Sequence, residues 1–187
     1  HFVLETGQAV TVDDIVKLLR RKQPSVVHFC GHGVASAAIP RNGGTVVRNI
    51  EASASAGVGD GAIWVDDGDG GHQRVTAAAL RQMIESTAGS VRLVVLNACY
   101  SDALAYELCH AVDCVIGMAG AIEDGAAQSF AAALYSALAD GVSVGEAFAQ
   151  ACATLRGKGL VDAQLPRCKT RDGVDARALV LAGPARP

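Results

Sequence analysis

Residues 91–96 read Val-Arg-Leu-Val-Val-Leu, with the arginine near the start as the only polar side chain. A strand that is apolar on both faces belongs in the middle of a sheet covered by helices on each side, and such sheets are mainly parallel. Residues 25–29 and 113–118 repeat the pattern, each short, apolar and rich in valine or isoleucine. Helical segments separate them. Thr11 caps a first helix that has Asp13 and Asp14 in its first turn, Ile15, Leu18 and Leu19 at helical spacing, and Arg20-Arg21-Lys22 at its end before Pro24. Thr76 caps a helix through residue 84, and a third runs over 101–111. A long Ala-rich helix covers 124–139 and stops at Gly141, and Ser143 caps a fifth helix to about residue 155. Two short strands, 62–65 and 73–75, flank the turn Asp67-Gly68-Asp69-Gly70-Gly71. The polar residues 156–175 predict a loop, and the apolar run 178–181 predicts a closing strand. Alternating strands and helices joined by short links give an α/β sandwich around a mainly parallel sheet.

Half of the 187 residues are hydrophobic, which supports a packed core and argues against intrinsic disorder. No apolar run approaches the roughly 18–20 residues needed to span a bilayer, so neither a transmembrane helix nor a membrane partner is expected. Sixteen basic and nineteen acidic side chains leave a net charge of −3, with one short basic cluster, which disfavours direct nucleic-acid binding. The six cysteines are Cys30, Cys99, Cys109, Cys114, Cys152 and Cys168. Their even number invites a disulfide framework, but the chain is too large and apolar to need staples, and several lie inside apolar runs. Free thiols in a reducing, cytoplasmic setting fit better.

Two strand ends carry chemistry. One strand runs into Cys30-Gly31-His32-Gly33, the other into Asn97-Ala98-Cys99-Tyr100-Ser101. Sites in open parallel sheets gather at the carboxyl ends of the strands, so if these two strands are neighbours, His32 and Cys99 share one rim. Cys99 precedes a helix start, where positive potential favours the thiolate. An imidazole from His32 then moves the proton during acyl transfer. The backbone N–H groups of Gly33 and Cys99 are candidates for an oxyanion hole.

These two motifs, each at the end of an apolar strand, resemble those of the caspase-like cysteine peptidases. The match is closest to the CHAT domain branch, common in bacteria and related to separase, gingipain, clostripain and metacaspases. The resemblance implies a caspase-like three-layer sandwich with helices on both faces of a mainly parallel central sheet. It implies a cysteine endopeptidase with Cys99 as nucleophile and His32 as its proton partner, working on a protein substrate without metal or organic cofactor. Substrate-binding positions carried over from the family are Asn97 and Asp124. Asn97 stands where clostripain-like and metacaspase relatives have an aspartate, which blurs the preference. Asp124 matches an acidic position of the family that could face the pocket, which favours a basic or small polar residue before the cut, Arg or Lys first. Asp102 either caps its helix or orders substrate. The family also begins with a strand and helix that have no counterpart before Phe2 here. The chain is therefore expected to be part of a larger protein, with the missing strand supplied by a preceding domain, a second chain or residues outside this sequence. CHAT domains often form the effector end of proteins with sensor or repeat modules, implying a regulatory domain or partner chain and a role of the bacterial defence or programmed-death type.

A cysteine at a strand end is, on its own, more often a small buried hydrophobe, and the paired His32 motif reverses that balance. His28, Cys30 and His32 fall on one strand face and could mimic a zinc site with Cys99, but their spacing fits no standard zinc pattern. Cys109, His110 and Cys114 read as core packing. Asp66, Asp67 and Asp69 are explained by a hairpin turn without calcium. The rival from another class is a catalytically silent signalling or interaction module on the same fold.

Overall fold

A computed structural model describes residues 3–31, 33–34, 61–87 and 89–181. Its main sheet has four strands: β1 (Val26–Cys30), β5 (Leu93–Asn97), β6 (Cys114–Met118) and β7 (Pro166–Thr170), in the order β1-β5-β6-β7. The β1–β5 and β5–β6 pairs are parallel, and β7 runs antiparallel to β6. A second, antiparallel sheet joins β2 (Gly33–Val34), β3 (Ala62–Asp66) and β4 (His72–Thr76) in that order. The turn between β3 and β4 is built as the Asp-Gly spacing requires. Asp67 Oδ1 accepts from the N–H groups of Asp69 and Gly71, and Asp66 Oδ1 from that of Gly68.

Every residue of β5 and β6 is buried, as a two-sided apolar strand demands. Alternate side chains feed two cores. Leu93, Val95, Cys114, Ile116 and Met118 face α4 (Asp124–Ala139) and α5 (Val144–Gly157). Val94, Leu96 and Val115 face the other way, with α1 (Val12–Lys22), α2 (Ala77–Glu85) and α3 (Asp102–Leu108). This is the expected three-layer α/β sandwich. The helix starts are chemically marked: Thr11 with Asp14 and Ser143 with Glu146 each form a reciprocal capping box, and Thr76 accepts from the Ala79 N–H.

Two expectations at the C-terminal end are corrected. The supposed loop 156–175 contains a short 3-10 turn (Val161–Gln164) and the edge strand β7. The supposed closing strand 178–181 is not a strand. Its backbone and that of the preceding turn satisfy the orphan N–H groups at the start of α5: Val144 N–H donates to Leu179 O at 2.8 Å and Gly145 N–H to Ala176 O at 2.8 Å. β7 escapes pattern reading because it is an edge strand opening on Pro166, with Arg167 and Lys169 alternating against Cys168. The Gly/Ser/Ala-rich stretch 35–60 lies outside the described residues.

Candidate active site

The neighbour relation on which the dyad depends is present. β1 and β5 pair in register from Val26 opposite Leu93 to Cys30 opposite Asn97, and Gly31 N–H extends the ladder to Asn97 O at 3.4 Å. The chain segments leading to His32 and to Cys99 thus leave the sheet side by side at its carboxyl rim. His32 itself lies outside the described residues. Gly33, the other oxyanion candidate, is drawn into β2 opposite Ile63.

Cys99 occupies a tight turn between β5 and α3. Its neighbours Ala98 (1% exposed) and Ser101 (3%) are buried, whereas Cys99 is half-buried and Tyr100 is 47% exposed. Tyr100 sits at φ +56°, a left-handed conformation that a bulky residue adopts only where its surroundings impose it. Those surroundings are visible. Tyr100 N–H donates to Gly120 O at 3.1 Å. The Ser101 hydroxyl donates to Leu96 O at 3.0 Å and accepts the Met118 N–H at 2.9 Å. The bridge is needed because the β5–β6 ladder ends at Val95 opposite Ile116, after which the strands part. Gly117 completes the fit: a Cβ there would lie 2.9 Å from Ser101 O and 3.0 Å from Ala105 Cβ. Sequence reading missed Ser101, whose position before a helix resembles a cap; it makes no side-chain cap bond.

Asn97 and Asp124 belong to the same rim. Asn97 is 6% exposed, and its Nδ2 donates to Ala127 O at 3.0 Å in the first turn of α4. Asp124 begins that helix and is exposed. Asn97 Oδ1 has no partner among the described residues. Asp102 is held elsewhere: it is the first residue of α3, not its cap, and its carboxylate meets Lys169 Nζ of β7 at 3.1 Å. His28 stacks on Tyr135 of α4 with ring centroids 5.5 Å apart. His28 keeps an exposed face, but desolvation against that ring lowers the imidazole pKa, and burial raises that of the Tyr135 phenol. Among the described residues, no group of three or more His, Cys, Asp or Glu is placed to hold a metal ion.

Comparison of the sequence with protein-family models gives a match to the CHAT domain over residues 1–173. The chain belongs to the CHAT domain family. Comparison with curated proteins returned no match. Membership agrees with the sandwich described above and identifies the fold as caspase-like and related to that of cysteine peptidases. Within this CHAT domain, the strand-end turn carrying Cys99 is the best-built candidate for chemistry. No helix among the described residues is long and apolar enough to cross a membrane.

Proposed function

We propose that this CHAT domain is a cysteine endopeptidase in which Cys99 and His32 hydrolyse a peptide bond by acyl transfer. The observation that supports it most is the presentation of Cys99: a half-buried thiol between buried Ala98 and exposed Tyr100, on a positive-φ turn at the carboxyl end of a central parallel strand. The Cys99 thiolate attacks the scissile carbonyl. The resulting oxyanion is met by backbone N–H groups of Gly33 and Cys99. His32 hands the thiol proton to the leaving amine, and the C–N bond breaks to give an acyl-enzyme. Water, deprotonated by the same imidazole, then releases the carboxylate and restores the thiol.

Asp124, exposed at the start of α4, is the carboxylate that would receive an Arg or Lys side chain before the cut. Asn97, the second carried-over position, is buried with its Nδ2 on Ala127 O, so its part would be to position the first turn of α4 rather than to touch the substrate side chain. Asp102, already paired with Lys169, takes the lesser part in binding substrate. The protease is read as a regulated effector of the bacterial defence or programmed-death type. It would work in a reducing, cytoplasmic setting under a sensor domain or partner chain, as part of a larger protein.

The test is labelling with an arginyl acyloxymethyl ketone, comparing the native chain with Cys99→Ala and His32→Ala. Labelling confined to Cys99, abolished in Cys99→Ala and strongly slowed in His32→Ala, is expected. Equal labelling of all three, or labelling at another cysteine, removes the assignment and leaves the silent interaction module as the better reading.

A further inference from the structure

Away from the Cys99 rim, two other thiols meet. β6 and β7 pair with Cys114 opposite Thr170 and Ile116 opposite Cys168, so the two cysteines are diagonal neighbours on one face of the ladder. Their sulfurs lie 3.4 Å apart. A disulfide needs about 2.05 Å between sulfurs, and diagonal neighbours start about 7–8 Å apart, so closure combines side-chain rotation with a small shift of the edge strand β7 toward β6. Their environments differ. Cys114 has no exposed surface, whereas Cys168 is half-buried at the sheet edge. We propose that Cys114 and Cys168 form an oxidisable dithiol that closes to a disulfide across the β6–β7 ladder.

The asymmetry assigns the steps. The sealed Cys114 thiol keeps its proton and donates toward the Cys168 sulfur. That contact holds Cys168 below the ordinary thiol range, while Cys114 is pushed well above it by the same contact and by burial. Cys168 is therefore the first to react. With hydrogen peroxide as oxidant, the Cys168 thiolate takes one oxygen, the O–O bond breaks, and hydroxide leaves. The sulfur is now a sulfenic acid. Cys114 attacks that sulfur, the S–O bond breaks, and water forms with the Cys114 proton. In total two thiols and one peroxide become one disulfide and two waters. Cys109 and Cys152 are buried, and burial raises both thiols, which leaves them poorer competitors.

The bond would fasten an edge strand. Among the described strands β7 pairs only with β6, and Ala119 N–H donates to Leu165 O just before β7 begins. The next residue, Gly120, supports the Tyr100 turn. Oxidation thus secures one wall behind the rim without consuming Cys99.

The test treats the full chain with hydrogen peroxide, at a dose that oxidises added glutathione in the same tube. Alkylation and non-reducing peptide mapping follow. A Cys114–Cys168 linked peptide is expected, with an intact mass lower by two hydrogens, full reversal by dithiothreitol, and a thermal midpoint raised by about 4–16 °C. Cys99→Ala is expected to form the same link, so the result is independent of the peptidase reading. Cys168→Ser is expected to leave Cys114 as a free thiol. Three outcomes overturn the proposal: both thiols unchanged, Cys168 carried to a sulfinate with Cys114 still free, or Cys168 linked to Cys152 instead.

Discussion

Replacing Ser101 with alanine removes a single oxygen atom, and the surrounding geometry makes that atom expensive to lose. The hydroxyl accepts the Met118 N–H at 2.9 Å and donates to Leu96 O at 3.0 Å. Leu96 and Met118 are both 0% exposed, so neither orphaned backbone group can turn to solvent. A buried donor left without a partner costs about 1–3 kcal/mol, and an under-satisfied carbonyl somewhat less. One missing oxygen leaves too little room for a water to take over both bonds. The expected destabilisation is about 2–4 kcal/mol.

Urea unfolding reads this directly. With a slope of about 2–3 kcal/mol per molar, the midpoint of Ser101→Ala should fall by roughly 1 M at unchanged slope. Thr154→Ala is the control: its hydroxyl also donates to a backbone carbonyl, that of Gln150, but on the exposed face of α5. It should stay within about 0.5 kcal/mol of the native chain. If Ser101→Ala also stays within that margin, the hydroxyl does not join β5 to β6, and the account of how the Cys99 turn is held fails with it.

Ser143→Ala should cost about 1 kcal/mol by the same assay, because it opens the capping box in which Ser143 Oγ accepts Glu146 N–H at 3.3 Å and Glu146 Oε2 accepts Ser143 N–H at 3.2 Å; an unchanged midpoint would show the cap to be redundant. Desolvation against the Tyr135 ring lowers the His28 pKa from 6.5 although one face of the residue stays exposed, so below pH 6.5 the unfolded chain binds the proton more readily than the folded one, by a margin that this exposure keeps small. Stability should therefore fall as pH drops from 6.5 through the folded pKa. Urea midpoints at pH 7.5 and 5.5 should differ less in His28→Gln than in the native chain; an equal drop in both would exclude His28 as a source of the acid sensitivity.

Periodicity reports burial, and the elements it revealed are those whose burial is unambiguous. β5 and β6 are buried at every residue, so their apolar runs admit little but a central strand. The start of α4 at Asp124 was equally legible, as were the caps Thr11, Thr76 and Ser143. The errors lie where one face decides. β7 turns only Pro166 and Cys168 inward, and its charged alternate residues read as loop. The apolar run at 178–181 has Leu179 4% exposed but Val180 46% exposed, and its backbone serves the start of α5.

The site divides along the same line. Cys99 and its strand neighbour were legible because a parallel sheet fixes which strand ends share a rim. The left-handed Tyr100 was not, since nothing about an aromatic residue announces positive φ. The inward Ser101 was not legible either, since it depends on how β5 and β6 part, and the Cys114–Cys168 contact was not, since it depends on β7. The two features hidden in the turn, Tyr100 and Ser101, share a cause. β5 stays paired with β1 as far as Asn97 but parts from β6 after Val95, and the chain must fill that gap with a hydroxyl and a glycine. The strain at Tyr100 follows from anchoring the turn on both sides of the gap, to Gly120 and to Met118. A thiol whose orientation matters gains from such a mount, because the turn can relax only by breaking bonds buried in the sheet.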